Sequence, residues 1–154
     1  MNFRSWLITF TTSAALGVAV AHGAPQVFPH AVPANAKPLP FSDAVLIADT
    51  LYVSGHLGLD PATGQAPADT GVEARLVLDS VQATLKSAGL TMDDLVSVTV
   101  YCTDLGLYDS FNGTYAGYFH GRYPTRAFIG VASLLRGAHF EVQAVAVKPG
   151  AAKR

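Results

Sequence analysis

The chain has a single cysteine, few charges and no excess of either sign. With Cys102 alone among 154 residues, no internal disulfide forms, so packing or assembly must hold the fold. Charged residues make up only 14% against 50% hydrophobic ones, which excludes a disordered, charge-rich polypeptide and points to one domain with a sizeable core. The net charge of -1 comes without a basic stripe, and aromatics are not interleaved with basic residues, so nothing here supports nucleic-acid binding. There is no Gly-x-Ser-x-Gly elbow, no phosphate-binding loop and no dinucleotide fingerprint. His30, His56, His120 and His139 are scattered and the cysteine is isolated, so no metal site is expected.

What is present begins with a secretory pattern. Arg4 precedes the uncharged, mostly apolar segment from Trp6 to Val20, which is short for a transmembrane helix. Ala19-Val20-Ala21 fits the small-x-small cleavage rule, and Ala21-His22-Gly23 is a second option. Residues 1–21 therefore read as a signal peptide, and the mature chain as periplasmic or secreted, with no membrane attachment after cleavage. Residues 22–40 carry Pro25, Pro29, Pro33, Pro38 and Pro40, a spacing that predicts a leader without regular structure. The domain proper spans residues 41–148, followed by a short tail, 149–154.

Within the domain, Val45-Leu46-Ile47-Ala48 and Leu51-Tyr52-Val53-Ser54-Gly55 read as strands joined by a tight turn at Asp49-Thr50. Asp60-Pro61-Ala62-Thr63-Gly64 is a turn. Thr70-Gly71-Val72-Glu73 matches a capping box with Thr70 as N-cap, opening a helix to about Ala88 that Gly89 ends. Leu95 to Thr103 alternates, with Val96, Val98, Val100 and Cys102 on one face. That alternation makes Cys102 a core residue, and no paired base marks it as a nucleophile. A second helix is predicted over about Leu107–Phe119, with Tyr108, Phe111, Tyr115 and Phe119 inward and Asn112 away from the Tyr115 side. Strands at about Arg126–Ser133 and Phe140–Val147 close the order β-β-(β)-α-β-α-β-β. Two helices and one mixed sheet make a two-layer α+β domain. Two helices cover one face of such a sheet, so the other face calls for a partner subunit in a closed homo-oligomer.

Two charges stand in strands that otherwise want hydrophobes. Arg126 opens Ala127-Phe128-Ile129-Gly130-Val131-Ala132, and Glu141 interrupts the run from Phe140 to Val147. A buried guanidinium needs an anion, which is either a structural partner such as Glu141 or Asp104, or a carboxylate ligand. Glu141 is either a candidate base that polarises a water or a surface or interface glutamate. Ser54-Gly55-His56 ends a strand where Gly55 permits close approach of a ligand to the backbone. His56 invites a general-base reading, while Asn112 is either a ligand-orienting amide or a surface one.

These stretches resemble the reactive intermediate deaminase family, also called Rid or YjgF. The resemblance runs from about Pro40 to Val147. It rests on Pro40-Phe41-Ser42-Asp43-Ala44, Leu51-Tyr52-Val53-Ser54-Gly55, Leu59-Asp60-Pro61-Ala62-Thr63-Gly64, Tyr115 to Phe119, Tyr123-Pro124-Thr125-Arg126-Ala127 and Phe140-Glu141-Val142-Gln143-Ala144-Val145-Ala146. The resemblance implies a chorismate-mutase-like fold, a homotrimer with clefts between subunits, and cofactor-free hydrolysis of 2-imino acids to 2-oxo acids and ammonia. By the same matching, Arg126 binds the substrate carboxylate and Glu141 activates water. Phe41, Ser54, Gly55, His56, Asn112 and Phe128 line or support the pocket. Phe41 replaces the tyrosine of well-known members and His56 a common glutamine. The alternatives on the same fold are a non-catalytic module binding small carboxylates and an endoribonuclease.

Overall fold

The computed structural model describes residues 23–31 and 37–150. The expected signal segment and its cleavage site lie outside the described residues. Among those described, no helix is long and apolar enough to cross a membrane.

Six strands form one mixed sheet: β1 (Gln26–Pro29), β2 (Ser42–Ile47), β3 (Thr50–Leu57), β4 (Leu95–Cys102), β5 (Thr125–Gly130) and β6 (Phe140–Val147). Their order across the sheet is β1-β2-β3-β6-β4-β5, antiparallel except for the β4–β5 pair. The helices α1 (Thr70–Ser87) and α2 (Tyr108–Ala116) pack together on one face, giving the expected two-layer α+β fold. The core lies between them: Val77, Leu78, Val81 and Leu85 of α1 and Phe111 of α2 meet Leu51, Val53, Val98, Val100, Phe140, Val142 and Ala146 of the sheet.

Several local expectations are corrected. The proline-rich stretch 22–40 is not without regular structure, because Gln26–Pro29 pairs with Leu46–Ser42 as an edge strand. An edge tolerates proline, since the missing N–H faces away from the ladder, and the register slips between Phe28 and Pro29. The N-cap of α1 is Asp69, whose carboxylate accepts from Gly71 and Val72 N–H at 2.8 and 3.1 Å. Thr70 is the first helical residue instead. The strand β4 has a bulge between Leu95 and Ser97, so Val96 falls outside the alternation and is exposed. The second helix is shorter than its aromatic pattern suggests, and Tyr108 at its start is half-exposed. The turn before β3 falls at Ala48-Asp49, with Ala48 at φ 52°, and Gly64 and Gly89 take positive φ as their turns require.

Glu73 has a different role from the capping one. It is fully buried, and its Oε1 accepts the N–H groups of His139 at 2.6 Å and Phe140 at 2.8 Å. Its Oε2 lies 2.7 Å from His139 Nδ1. The carboxylate thus ties α1 to the first residues of β6, the strand that carries Glu141. Glu73→Leu should cost about 2–4 kcal/mol in urea unfolding, because it leaves two backbone donors unpaired near the core. Glu73→Gln keeps a carbonyl oxygen for both donors and should cost far less. Equal losses in the two variants would count against this anchoring role.

Candidate active site

Alternation along the strands decides which face each candidate residue occupies. In the parallel β4–β5 pair, Arg126 lies beside Val98 and Phe128 beside Val100. Both valines are buried under the helices, so Arg126 and Phe128 point to the helical side. In β6, Phe140 and Val142 are buried on that side, so Glu141 between them points to the open face, next to Leu57 and Tyr101. The two charged residues are therefore on opposite faces of one sheet. Among the described residues, no carboxylate pairs with Arg126. The structural-pair alternative with Glu141 does not occur within a chain, and Asp104 instead caps a short helical turn at Gly106 N–H.

Arg126 is half-buried and held by neutral groups. Its Nη2 donates to Asn112 Oδ1 at 2.6 Å. Its guanidinium carbon lies 4.6 Å from the ring centre of Tyr115, 5.6 Å from Tyr108 and 5.8 Å from Phe128. One Asn112 bond and an aromatic cradle orient the fork without neutralising it, which leaves the charge free for an anion. Asn112 therefore shares the Tyr115 side, contrary to the helical-wheel expectation. A cavity of about 400 Å³ opens beside this group, lined by Asn112, Tyr115, Ala116, Tyr123, Pro124 and Arg126. Burial pushes the Tyr115 hydroxyl up to about 12, so it stays protonated, and its oxygen has no partner among the described residues. Tyr115 and Tyr123 belong to the sequence pattern, but nothing in the sequence marked them as walls of the site.

Glu141 has its own prepared place. The β3–β6 register slips between Val53 and His56, so Ser54 and Gly55 form a bulge. A Cβ on Gly55 would overlap Glu141 Oε1, so only glycine leaves room for the carboxylate there. Ser54 Oγ, one residue away, is buried without a partner among the described residues. The edge position of β5 leaves the outer backbone groups around Phe128 outside the β4 ladder.

His56 is a correction. The bulge adds a residue and turns its side chain inward, opposite Val142 and under α1. There Nδ1 lies 2.7 Å from Ser80 Oγ and Nε2 3.4 Å from Thr84 Oγ1. It reaches neither Arg126 nor the Glu141 face. Burial lowers its pKa from the usual 6.5, while Asp43 partly opposes the shift. The unfolded chain thus binds a proton at higher pH than the folded one. The stability that neutral His56 contributes is complete above pH 6.5 and is lost as pH falls below it towards the depressed folded value. Urea midpoints measured from pH 7.5 down to pH 5 should fall in the wild type, and less steeply in His56→Gln. Phe41 is exposed just before β2, its ring 5.9 Å from that of His30, and is likewise not brought to Arg126 within the chain. Cys102 is buried, donates to the Asp104 carbonyl at 3.0 Å and has its thiol pKa raised by burial, as befits a core residue and not a nucleophile.

The sequence model of the family described as Endoribonuclease L-PSP matches residues 32–148. The chain belongs to the Rid/YjgF (L-PSP) family. It is 39% identical over 110 residues to the 2-iminobutanoate/2-iminopropanoate deaminase of Bos taurus, covering 71% of this chain and 80% of that relative. The crystal structure of the Escherichia coli YjgF gene product superposes with a TM-score of 0.68 at 34% identity, over 71% of this chain and 89% of that one. The structure of E. coli TdcF with bound serine gives a TM-score of 0.69 at 33% identity, over 79% and 94%. The family match starts after β1, so that edge strand lies outside the matched region.

Proposed function

We propose that this Rid-family protein hydrolyses 2-imino acids to 2-oxo acids and ammonia, without a cofactor, at sites shared between subunits of a homotrimer. The observation that carries this reading is a free, oriented guanidinium on one sheet face and a seated carboxylate on the other. Neither can reach the other's ligand within a chain, so a second copy must bring its Glu141 face to the Arg126 cavity. The open face suits such a contact, since Tyr52, Ile129 and Val147 are exposed there. The related deaminases carry the activity in their names, and the E. coli relative TdcF binds serine, a ligand with the same carboxylate.

In this mechanism Arg126 takes the substrate carboxylate in its fork. The neighbouring subunit's Glu141 accepts a proton from a water as that water attacks the imine carbon. The imine nitrogen takes that proton from Glu141 as the C=N bond becomes a carbinolamine. Glu141 then passes the carbinolamine's hydroxyl proton to the same nitrogen, the C–N bond breaks, and ammonia leaves the 2-oxo acid behind. Backbone groups around Phe128 hold the nitrogen end. Orientation supplies most of the rate, because an imine is already electrophilic. The apolar segment behind Arg4 supports a periplasmic or secreted place of action.

The test is clearance of 2-iminopropanoate, generated in situ by an amino-acid oxidase and followed by semicarbazide trapping. Catalytic amounts of protein should shorten the imine lifetime at least tenfold. An unchanged lifetime, with 2-oxo acids still shifting the melting temperature, would favour a non-catalytic carboxylate-binding module. The family description also names an endoribonuclease, and an RNA substrate belongs in the same experiment. The near-neutral charge weighs against cleavage of RNA.

A further inference from the structure

Beside the Arg126 fork lies a largely apolar cavity. The cavity of about 400 Å³ falls within the range of roughly 300–1,000 Å³ common for small-molecule sites. Apart from Arg126 and its partner Asn112, its walls are Tyr115, Ala116, Tyr123 and Pro124. None of these carries a charge when Tyr115 is protonated, so a charged side chain entering the cavity meets no counter-ion there other than Arg126 itself. The aromatic walls are fixed in advance: the Tyr115 ring lies 4.8 Å from Phe119, which lies 5.5 Å from Tyr123 in an edge-on contact. Ala116 is the smallest wall residue, and it sits exposed at the end of α2, where its missing bulk keeps the cavity open.

We propose that this cavity is the side-chain subsite of the enzyme and selects 2-imino acids with large apolar or aromatic side chains over those with a methyl group. The inference rests on the deaminase reading. A carboxylate held by Arg126 leaves the substituent on the adjacent carbon close to the same guanidinium, and the apolar space next to it is this cavity. A methyl group touches little of the wall. A leucine- or phenylalanine-derived side chain covers Tyr115, Tyr123 and Pro124 and displaces water from them. Each methylene buried in an apolar pocket is worth about tenfold or more in discrimination.

The experiment compares kcat/KM for imines derived from alanine, leucine and phenylalanine in the wild type and in Ala116→Leu. Leucine is a good helix former and position 116 is exposed, so the variant should fold. A parallel titration calorimetry series with pyruvate and 4-methyl-2-oxopentanoate reads the subsite without turnover. The expected result is at least a tenfold preference for the larger imines and the larger 2-oxo acid, reduced to about twofold or less by Ala116→Leu. Equal kcat/KM across the three imines overturns the subsite while imine hydrolysis stands, and so does a preference that Ala116→Leu leaves untouched. Absence of any imine turnover overturns the deaminase reading. If the calorimetric preference survives in that case, the subsite belongs to a binding protein; if it too is absent, both inferences fall.

Discussion

Arg126→Ala should lower kcat/KM for imine hydrolysis by about a hundred- to a thousandfold, with the loss exceeding any change in stability. The guanidinium is half-buried, bonded to one amide and cradled by three rings, and among the described residues no protein anion neutralises it. Its removal costs the fold a cation–π contact and leaves Asn112 Oδ1 without its donor, a loss of about 1 kcal/mol. That is small beside the loss of the fork proposed to take the carboxylate bidentately. Arg126→Lys separates charge from geometry: an ammonium keeps the sign but not the planar fork, so it should recover only part of the rate. Sedimentation should show the same assembly in both variants. An Arg126→Ala enzyme within threefold of wild type, or a lysine variant as fast as wild type, would mean that the fork binds nothing during the reaction.

The two outlying charges were visible in the sequence because strands expose their pattern, and Arg126 and Glu141 each broke it. The core positions of α1 and β6 were visible for the same reason. What the pattern misled on traces largely to bulges. Strict alternation from Val53 puts His56 on the open face, and the Ser54-Gly55 bulge turns it under α1. The same device at Leu95–Ser97 removes Val96 from the core. A bulge adds a residue without a composition of its own, and Gly55 looked like a ligand approach when the group it admits is the protein's own Glu141. Glu73 misled differently. Its spacing from Thr70 fits a capping box, but Asp69 takes the cap and the buried carboxylate finds three donors at the start of β6, a long-range partnership that no local motif announces. The face on which each charge falls also had to come from pairing. The sequence left a pairing of Arg126 with Glu141 open, and only the β4–β5 and β6 registers separate them.

That separation yields the second large effect. If each site takes Arg126 from one subunit and Glu141 from the next, then Arg126→Ala and Glu141→Ala should each be inactive alone and active together. Unfolded separately, mixed in equal amounts and refolded, the two variants should assemble at random. An interface between neighbours in a ring then receives both intact residues in about one case in four, so activity should rise from near zero to about a quarter of wild type. The double variant Arg126→Ala/Glu141→Ala, refolded with wild type, serves as a control: about a quarter of its interfaces should also be intact. A site built within one chain predicts otherwise. Mixing the single variants would restore nothing, while the double variant mixed with wild type would retain half the activity. The sheet faces in the structure place the two side chains on opposite sides of β4–β5 and β6, and no rotamer change carries a glutamate through a hydrogen-bonded sheet. Recovery on mixing would therefore assign the reaction to the contact between subunits, and its absence would require Glu141 to be something other than the partner of Arg126.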